Sequence, residues 1–275
     1  MNNLLCAGFA RLVRMKLLYV GMLAMTAVEV MFLISGYTRR QTHNLDFAFE
    51  NSFFIFALLL GIVQSVFCSL FLSAEYGDGA IRNRLIVGHS RGKLYLSNLL
   101  VTIAAGSIFC LTAVVIGLCV GLLLFGAFSM PAEQVLLHTL CALGVVVVYA
   151  SAYTAIGMLC ENKVITTIIC IVLAFFLLFL GQHLCQALLE PEFFSEFAMM
   201  DGVGTVVDGK PNPYYLEGVK RQIYSFFYDL LPSGQSFQIQ RTGIEHPWRL
   251  LGYSGILACL PTGAGLFFFN RKNLK

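Results

Sequence analysis

The sequence predicts an all-α polytopic membrane protein with six transmembrane helices. Of its 275 residues, 58% are hydrophobic and 12% are charged, whereas a soluble domain carries about 25% charged residues. Six apolar runs each reach the ~20 residues that a hydrocarbon core about 30 Å thick requires. Because that core holds no water to satisfy backbone groups, such runs must be helices. The net charge of +3 is small and dispersed, so nucleic acid is not an expected partner.

The six predicted spans account for most of the chain. The first one follows basic residues, as a signal peptide would, but it stays apolar past any plausible cleavage site and is predicted to remain uncleaved. Nine cysteines lie almost wholly in apolar runs, which excludes a disulfide framework. The five histidines are widely separated, so no metal site is predicted. The predicted spans are Leu17–Tyr37, Ser52–Ala74, Leu94–Phe125, Gln134–Leu159, Val164–Gln182 and Leu250–Phe269.

The distribution of lysine and arginine predicts the orientation in the cell membrane. With the N-terminus inside, the cytoplasmic segments hold eleven of these residues, and the short loop on the other side holds two, Arg39 and Arg40. A further loop of about 65 residues is too long to weigh in the positive-inside rule. Both termini are therefore expected in the cytoplasm, although the Arg39-Arg40 pair runs against the rule.

Residues 1–16 are expected to form a helix in the cytoplasmic interface. Leu5, Phe9 and Leu12 lie near one helical face, while Arg11 is expected to turn elsewhere. A frayed basic N-terminus is the alternative interpretation.

Residues 183–247 are expected to form an outer lid between spans five and six. This segment is acidic and turn-rich, and an aromatic helix is predicted over Tyr214–Leu231. Such a segment is too short for a substantial core of its own. The chain is thus predicted to be a single transmembrane domain over residues 1–275, with no sheet.

The most polar stretch between two spans is residues 75–93, which we expect on the cytoplasmic side. Glu75 is expected at the membrane surface, and Asp78 is the expected N-cap of a short helix. Gly79 allows the chain to change direction, and Gly88 can end the helix. This helix is expected to lie along the membrane surface and to connect spans two and three.

The side chains of that short helix divide into two groups. Ile81, Leu85 and Ile86 are expected to share a face, while Arg82, Asn83 and Arg84 point away. The sequence alone leaves open whether this is a lever that receives force from a partner or an ordinary basic loop held by anionic lipid.

Residues 75–91 read Glu75-Tyr-x-Asp-Gly-x-Ile-Arg-Asn-Arg-Leu-Ile-Val-Gly-x-Ser-Arg91. This run resembles the cytoplasmic segment between spans two and three of permease subunits of bacterial ATP-binding-cassette exporters of the type-2 family, which have a type V exporter-like fold. The turn Leu231-Pro-Ser-Gly-Gln235 and the basic ending Phe269-Asn-Arg-Lys-Asn-Leu-Lys275 are weaker matches. The resemblance implies a coupling helix that docks on an ATPase subunit, with candidate residues Glu75, Asp78, Gly79, Ile81, Arg82, Asn83, Arg84, Leu85, Gly88 and Arg91.

The resemblance also implies the partners. Six spans are half of a transport path in this family, so a second permease half, identical or homologous, and two ATPase copies are expected. This chain has no phosphate loop: Gly88 and Gly92 have three residues between them where four are needed, and Leu94 stands where Ser or Thr should bind magnesium. ATP and magnesium are therefore expected in the partner. The expected substrate is amphiphilic: a peptide antibiotic, a drug or a lipid.

Glu29 and Gln64 are polar residues at similar depth in the first and second predicted spans. An ionised carboxylate at the depth of Glu29 costs about 2.5–3.5 kcal/mol, so Glu29 should face the bundle interior, with Gln64 a candidate partner. Either it lines the translocation path or it makes a structural hydrogen bond. The motif Gly117-x-x-x-Gly121 permits close helix packing.

Other functions remain open at this point. A proton-linked secondary transporter would use Glu29 as its proton carrier, and a membrane immunity or scaffold protein would bind ligand without turnover. The motif Gly88-His-Ser-Arg-Gly92 matches the nucleophile elbow of hydrolases, but that elbow requires an α/β sheet around the serine. Hydrolysis by Ser90 is therefore disfavoured.

Overall fold

The computed structural model describes residues 2–43, 49–77, 79–200 and 203–272, which are mainly helical. Among these residues, six stretches are long and apolar enough to cross a membrane: Lys16–Thr42, Phe49–Gly77, Arg91–Phe125, Ala132–Leu159, Lys163–Leu189 and Pro247–Arg271. They confirm the all-α polytopic class. The helices are α1 (Asn2–Arg14), α2 (Lys16–His43), α3 (Phe49–Phe53), α4 (Phe56–Gly77), α5 (Ala80–Ile86), α6 (Arg91–Phe125), α7 (Ala132–Leu159), α8 (Lys163–Leu189), α9 (Gly218–Leu230), α10 (Pro232–Gln240) and α11 (Pro247–Arg271).

The bundle has two ends, which are named here by a helix that lies at each. The α5 end carries α1, α5 and the C-terminus of α11; the α9 end carries α9 and the turn between α10 and α11. Helix α4 is the most buried span and packs against α2, α6, α7, α8 and α10. Close approach depends on small residues: a Cβ at Gly61 would meet Tyr149, and one at Gly157 would meet Leu72.

The second span is broken near the α9 end, where the sequence predicted one continuous helix. Between α3 and α4, Ala57 N–H donates to Phe54 O at 3.2 Å and Leu58 N–H donates to Ile55 O at 3.1 Å. These bonds reach back three residues instead of four, which is the tighter geometry of a 3₁₀ turn. On the other side of this turn, the ring of Phe49 in α3 stacks on that of Phe128.

The prediction that the chain has no sheet is wrong. Strands β1 (Phe193–Met200) and β2 (Val203–Pro211) pair antiparallel between α8 and α9. In the sequence, Asp201-Gly202 separates two runs rich in β-formers, which is a hairpin signal. The segment 183–247, which was expected to form the lid, thus contains the end of α8, this hairpin, α9 and α10. Helix α9 begins at Gly218 instead of Tyr214.

Helix α10 is part of the bundle, not of its surface. Nearly all of its residues are buried, and it packs against α7, α8 and α4. Gln235 explains the Pro-Ser-Gly-Gln turn: its Nε2 donates to Asp229 O at 2.9 Å and to Leu250 O at 3.3 Å, while Ser254 Oγ donates to its Oε1 at 2.7 Å. One buried amide thus joins α9, α10 and α11.

Gly234→Ala should destabilise the protein by about 3 kcal/mol, at the upper end for overpacking. A Cβ at Gly234 would run into the backbone carbonyl of Tyr228, which cannot rotate away as a side chain would. Thermal unfolding in detergent measures the effect. Gly252→Ala in α11 is the matched control, because a Cβ there meets nothing within 4 Å and should be neutral or stabilising. Equal melting of the two variants would contradict the packing described.

Candidate functional site

A buried carboxylate, Glu75, lies at the α5 end where four helices meet. Arg11 of α1 places its Nη1 2.7 Å from Glu75 Oε1, and Arg84 of α5 places its Nη1 2.8 Å from the same oxygen. Asn98 of α6 donates from Nδ2 to Glu75 Oε2 at 2.6 Å. These four residues are called the Glu75 cluster. Through it the C-terminal turn of α4 is joined to α1, α5 and α6.

The Glu75 cluster was missed because its members were expected to face elsewhere. Glu75 is fully buried instead of lying at the membrane surface, and Arg11 and Arg84 are only partly exposed and turn inward. Arg11 also donates from Nη2 to Phe71 O at 3.0 Å, with its guanidinium 4.6 Å from the Phe71 ring centre. A buried carboxylate such as Glu75 requires partners of opposite charge. This requirement is the only indication of the cluster that the sequence offers.

Helix α5 is fixed to the bundle on one face. Ile81 is 1% exposed, and Leu85 is packed against the core. The helix begins after Gly79, which occupies the N-cap position with φ 64°, and Gly88 follows its end with φ 96°. The expected cap, Asp78, lies outside the described residues. Both glycines adopt the left-handed backbone conformation that other residues rarely adopt, so the chain can turn sharply at each end of α5.

The other face of α5 is open. Arg82 and Asn83 are exposed, and so are Ile86, at 81%, and Val87, the residue that follows α5, at 78%. The expectation that Ile86 shares the buried face of Ile81 is wrong, because two turns of helix cannot turn all three apolar residues toward the core. This open face consists of a cation, an amide and two branched apolar side chains, which is a composition suited to a protein contact.

A second set of contacts at the same end holds α6, α11, α7 and α4. Arg91 of α6 donates from Nη1 to Phe269 O and Asn270 O, each at 3.2 Å, and also to Lys272 O. These carbonyls lie at or just beyond the C-terminus of α11, where a helix has few donors of its own; Phe269 O also accepts from Lys272 N–H at 3.4 Å. Lys272 Nζ lies 3.1 Å from Glu161 and 3.3 Å from the Tyr76 hydroxyl. Arg91, one of the candidate residues of the expected coupling segment, therefore contacts the C-terminus of the last span, α11.

Glu29 and Gln64 are not brought together. Gln64 donates from Nε2 to Val146 O at 3.2 Å and lies against Gly106 of α6. A Cβ at Gly117 would lie 2.9 Å from Glu29 Oε1. Gly117 is eleven residues further along α6 than Gly106, or about 16 Å at 1.5 Å per residue. Gln64 is therefore excluded as the partner of Glu29.

The side chain of Glu29 is fully buried inside the protomer, and neither of its oxygens has a hydrogen-bond partner among the described residues. Gly117 and Gly121 lie on the α6 face that meets α2 and α3: the first is beside Glu29 and Phe53, the second beneath the Phe49 ring. A role for Glu29 in the translocation path stays a prediction.

Ser90 does not have the surroundings of a catalytic nucleophile. It is exposed at the N-cap of α6, and its side chain makes no capping hydrogen bond. The hairpin follows the far end of α8, away from Ser90, so no strand among the described residues supports a nucleophile elbow there.

Ser90→Ala should change little. Because the hydroxyl makes no cap bond, the loss should stay below about 0.5 kcal/mol, the range of ordinary surface substitutions, and any transport activity should persist. Thermal unfolding and a transport assay on the same preparation measure both. Loss of transport with an unchanged melting temperature would contradict this prediction.

The chain matches a known family over most of these elements. Residues 4–181 match the family model described as ABC-2 family transporter protein. The matched region contains the Glu75 cluster and α5 and ends within α8. Comparison with curated proteins gives no match.

Proposed function

The chain belongs to the ABC-2 transporter family, and on that premise we propose that it is the membrane-spanning subunit of an ATP-driven exporter. It forms half of a translocation path with a second permease half, identical or homologous. Two copies of a separate ATP-binding-cassette ATPase hydrolyse ATP with magnesium and drive transport. The substrate is amphiphilic: a peptide antibiotic, a drug or a lipid. Proteins of this family are the membrane component of a transporter. That this chain belongs to the family therefore implies an ATPase partner.

The proposed orientation puts the α5 end in the cytoplasm of the cell and the α9 end outside. The support is the asymmetry of Lys and Arg between the two sides, eleven against two in the segments that count. Both termini are then cytoplasmic, and the open face of α5 is presented to the compartment that contains ATP.

The observation that carries the proposal is that α5 is open on one face and ion-paired on the other. A partner pressing on Ile86 and Val87 moves α5 as a unit, because Ile81 and Leu85 hold its inner face. Arg84 transmits that movement to Glu75 at the end of α4, and Asn98 transmits it to α6. The break between α3 and α4 then allows α4 to tilt while α3 stays packed at the α9 end.

Co-purification from the native membrane tests the proposal. The wild-type chain should bring down an ATP-binding-cassette ATPase, and Arg82→Glu should lose it, because this side chain is exposed and takes no part in the Glu75 cluster. Arg84 is not reversed in this test, because its side chain pairs with the buried Glu75. Arg14→Glu is the control: it makes the same charge change on an exposed residue of α1 at the same end. Equal loss in both variants, or full transport by the chain without any ATPase, contradicts the proposal.

A proton-linked transporter that uses Glu29 is the second candidate. It is favoured by the fully buried carboxyl group of Glu29. The paired discontinuous helices that secondary transporters have near the bilayer midplane are not matched by the single break near the α9 end among the described residues. In proteoliposomes, transport driven by a pH gradient without ATP and abolished by Glu29→Gln would support it. Transport that requires ATP and survives Glu29→Gln would exclude it.

A further inference from the structure

A cleft of about 160 Å³ opens at the α9 end between α2, α3 and α10. Its wall is mainly apolar, with several polar residues and one charged side chain among its lining residues. The residues that matter are Arg39, Ser35, Asn51 and Gln240 for the polar part and Phe32 and Ile55 for the apolar part.

The arrangement along α2 follows from helical spacing. Phe32, Ser35 and Arg39 are separated by three and four residues and therefore share one face. Phe32 and Arg39 are about 10 Å apart along the axis at 1.5 Å per residue. Phe32 falls within the predicted span Leu17–Tyr37 and Arg39 just beyond its end, so we expect Phe32 at the level of the acyl chains and Arg39 at the level of the head groups. A membrane amphiphile has the same gradient.

Two walls of the cleft are joined to each other and to the core. Gln240 donates from Nε2 to Asn51 O at 3.3 Å, which joins α10 to α3. Ser52 is buried, and the next two residues, Phe53 and Phe54, are fully buried in the core. Walls that are held in this way reduce the loss of conformational freedom when a ligand binds.

The charge of the cleft indicates what it binds. The guanidinium of Arg39 presents a planar fork of N–H donors that matches the oxygens of a phosphate, and the amides and hydroxyls nearby add neutral donors. Arg39 also belongs to the Arg39-Arg40 pair, which the positive-inside rule disfavours on this side. The positive-inside rule does not explain an arginine at this position, whereas binding of a phosphate would explain it.

We propose that this cleft binds the head group of an anionic phospholipid from the leaflet at the α9 end. The phosphate lies beside Arg39, and the first part of an acyl chain runs along Phe32 and Ile55. The proposal does not depend on the ATPase or on transport. Only the statement that this leaflet is the outer one rests on the proposed orientation.

Native mass spectrometry of the full chain, released from nanodiscs of phosphatidylglycerol and phosphatidylcholine in equal amounts, tests the proposal. Wild type should retain phosphatidylglycerol in preference, and Arg39→Gln should retain at least about tenfold less of it, as expected for a lost charge-assisted pair. Arg39→Lys should retain an intermediate amount. Arg40→Gln is the matched control, because Arg40 is the next residue on α2, is exposed and does not line the cleft.

Three outcomes would overturn this assignment. Equal losses in Arg39→Gln and Arg40→Gln would indicate diffuse attraction, and equal retention of both lipids would indicate no head-group recognition. If inorganic phosphate alone displaces the lipid completely, the cleft is a site for the free anion. Thermal unfolding of both glutamine variants confirms that each is folded before it is compared.

Discussion

Glu75→Gln should lower the stability of the helix bundle by about 3 kcal/mol and abolish the proposed transport. Breaking a buried ion pair costs about 3–5 kcal/mol because the remaining charges stay buried without compensation. Here Arg11 and Arg84 both face the lost carboxylate, and both remain partly exposed, which places the cost at the lower end. Titration of unfolding with a denaturing detergent measures the loss, and transport is measured in proteoliposomes.

Glu161→Gln is the matched control for this prediction. Glu161 also pairs with a cation at the α5 end, Lys272 at 3.1 Å, but its side chain is 49% exposed. Exposed pairs contribute about 0–1 kcal/mol, so this variant should remain within 1 kcal/mol of wild type and keep its activity. If Glu75→Gln proves no more harmful than Glu161→Gln, the cluster does not hold the four helices together.

Ile86→Asp should weaken binding of the proposed ATPase by about thirtyfold or more without destabilising the chain. Central interface residues contribute at least about 2 kcal/mol, and each 1.4 kcal/mol is tenfold in affinity. Because Ile86 is 81% exposed, its replacement removes almost no packing within the protomer. The measurement is the affinity of the purified ATPase for the chain in nanodiscs, together with thermal unfolding.

Val13→Asp provides the comparison for Ile86→Asp. Val13 is an exposed apolar residue of α1 at the same end of the bundle, and its replacement introduces the same charge away from α5. It should leave the affinity unchanged. Equal weakening by the two variants would show that negative charge at this end, and not the surface of α5, governs binding.

The spans were predictable because length and hydropathy suffice for them. The third was predicted over Leu94–Phe125 and is Arg91–Phe125; the fourth was predicted over Gln134–Leu159 and is Ala132–Leu159. The break in the second span was not predictable, since neither Gly nor Pro marks Phe54 and Ile55. Asp201-Gly202 is a sequence signal for the hairpin. The prediction of an all-helical chain followed instead from the long apolar spans that precede and follow this segment.

The candidate site was predictable in its location but not in its contacts. The polar residues and glycines of 75–93 place a short helix between spans two and three, and α5 lies there. Arg11 and Glu75 are 64 residues apart, and no local pattern relates them. Within α5, seven residues contain too little periodicity to decide that Arg84 turns inward and Ile86 outward. Tertiary contacts made those choices.

Photocrosslinking from Ile86 in native membranes tests the central claim most directly. With a photoreactive phenylalanine analogue at this position, we expect a covalent adduct with an ATP-binding-cassette ATPase, and a much weaker one from the same analogue at exposed Val13 of α1. Adducts from Ile86 with lipid or with an extracytoplasmic protein, and none with an ATPase, would contradict the account.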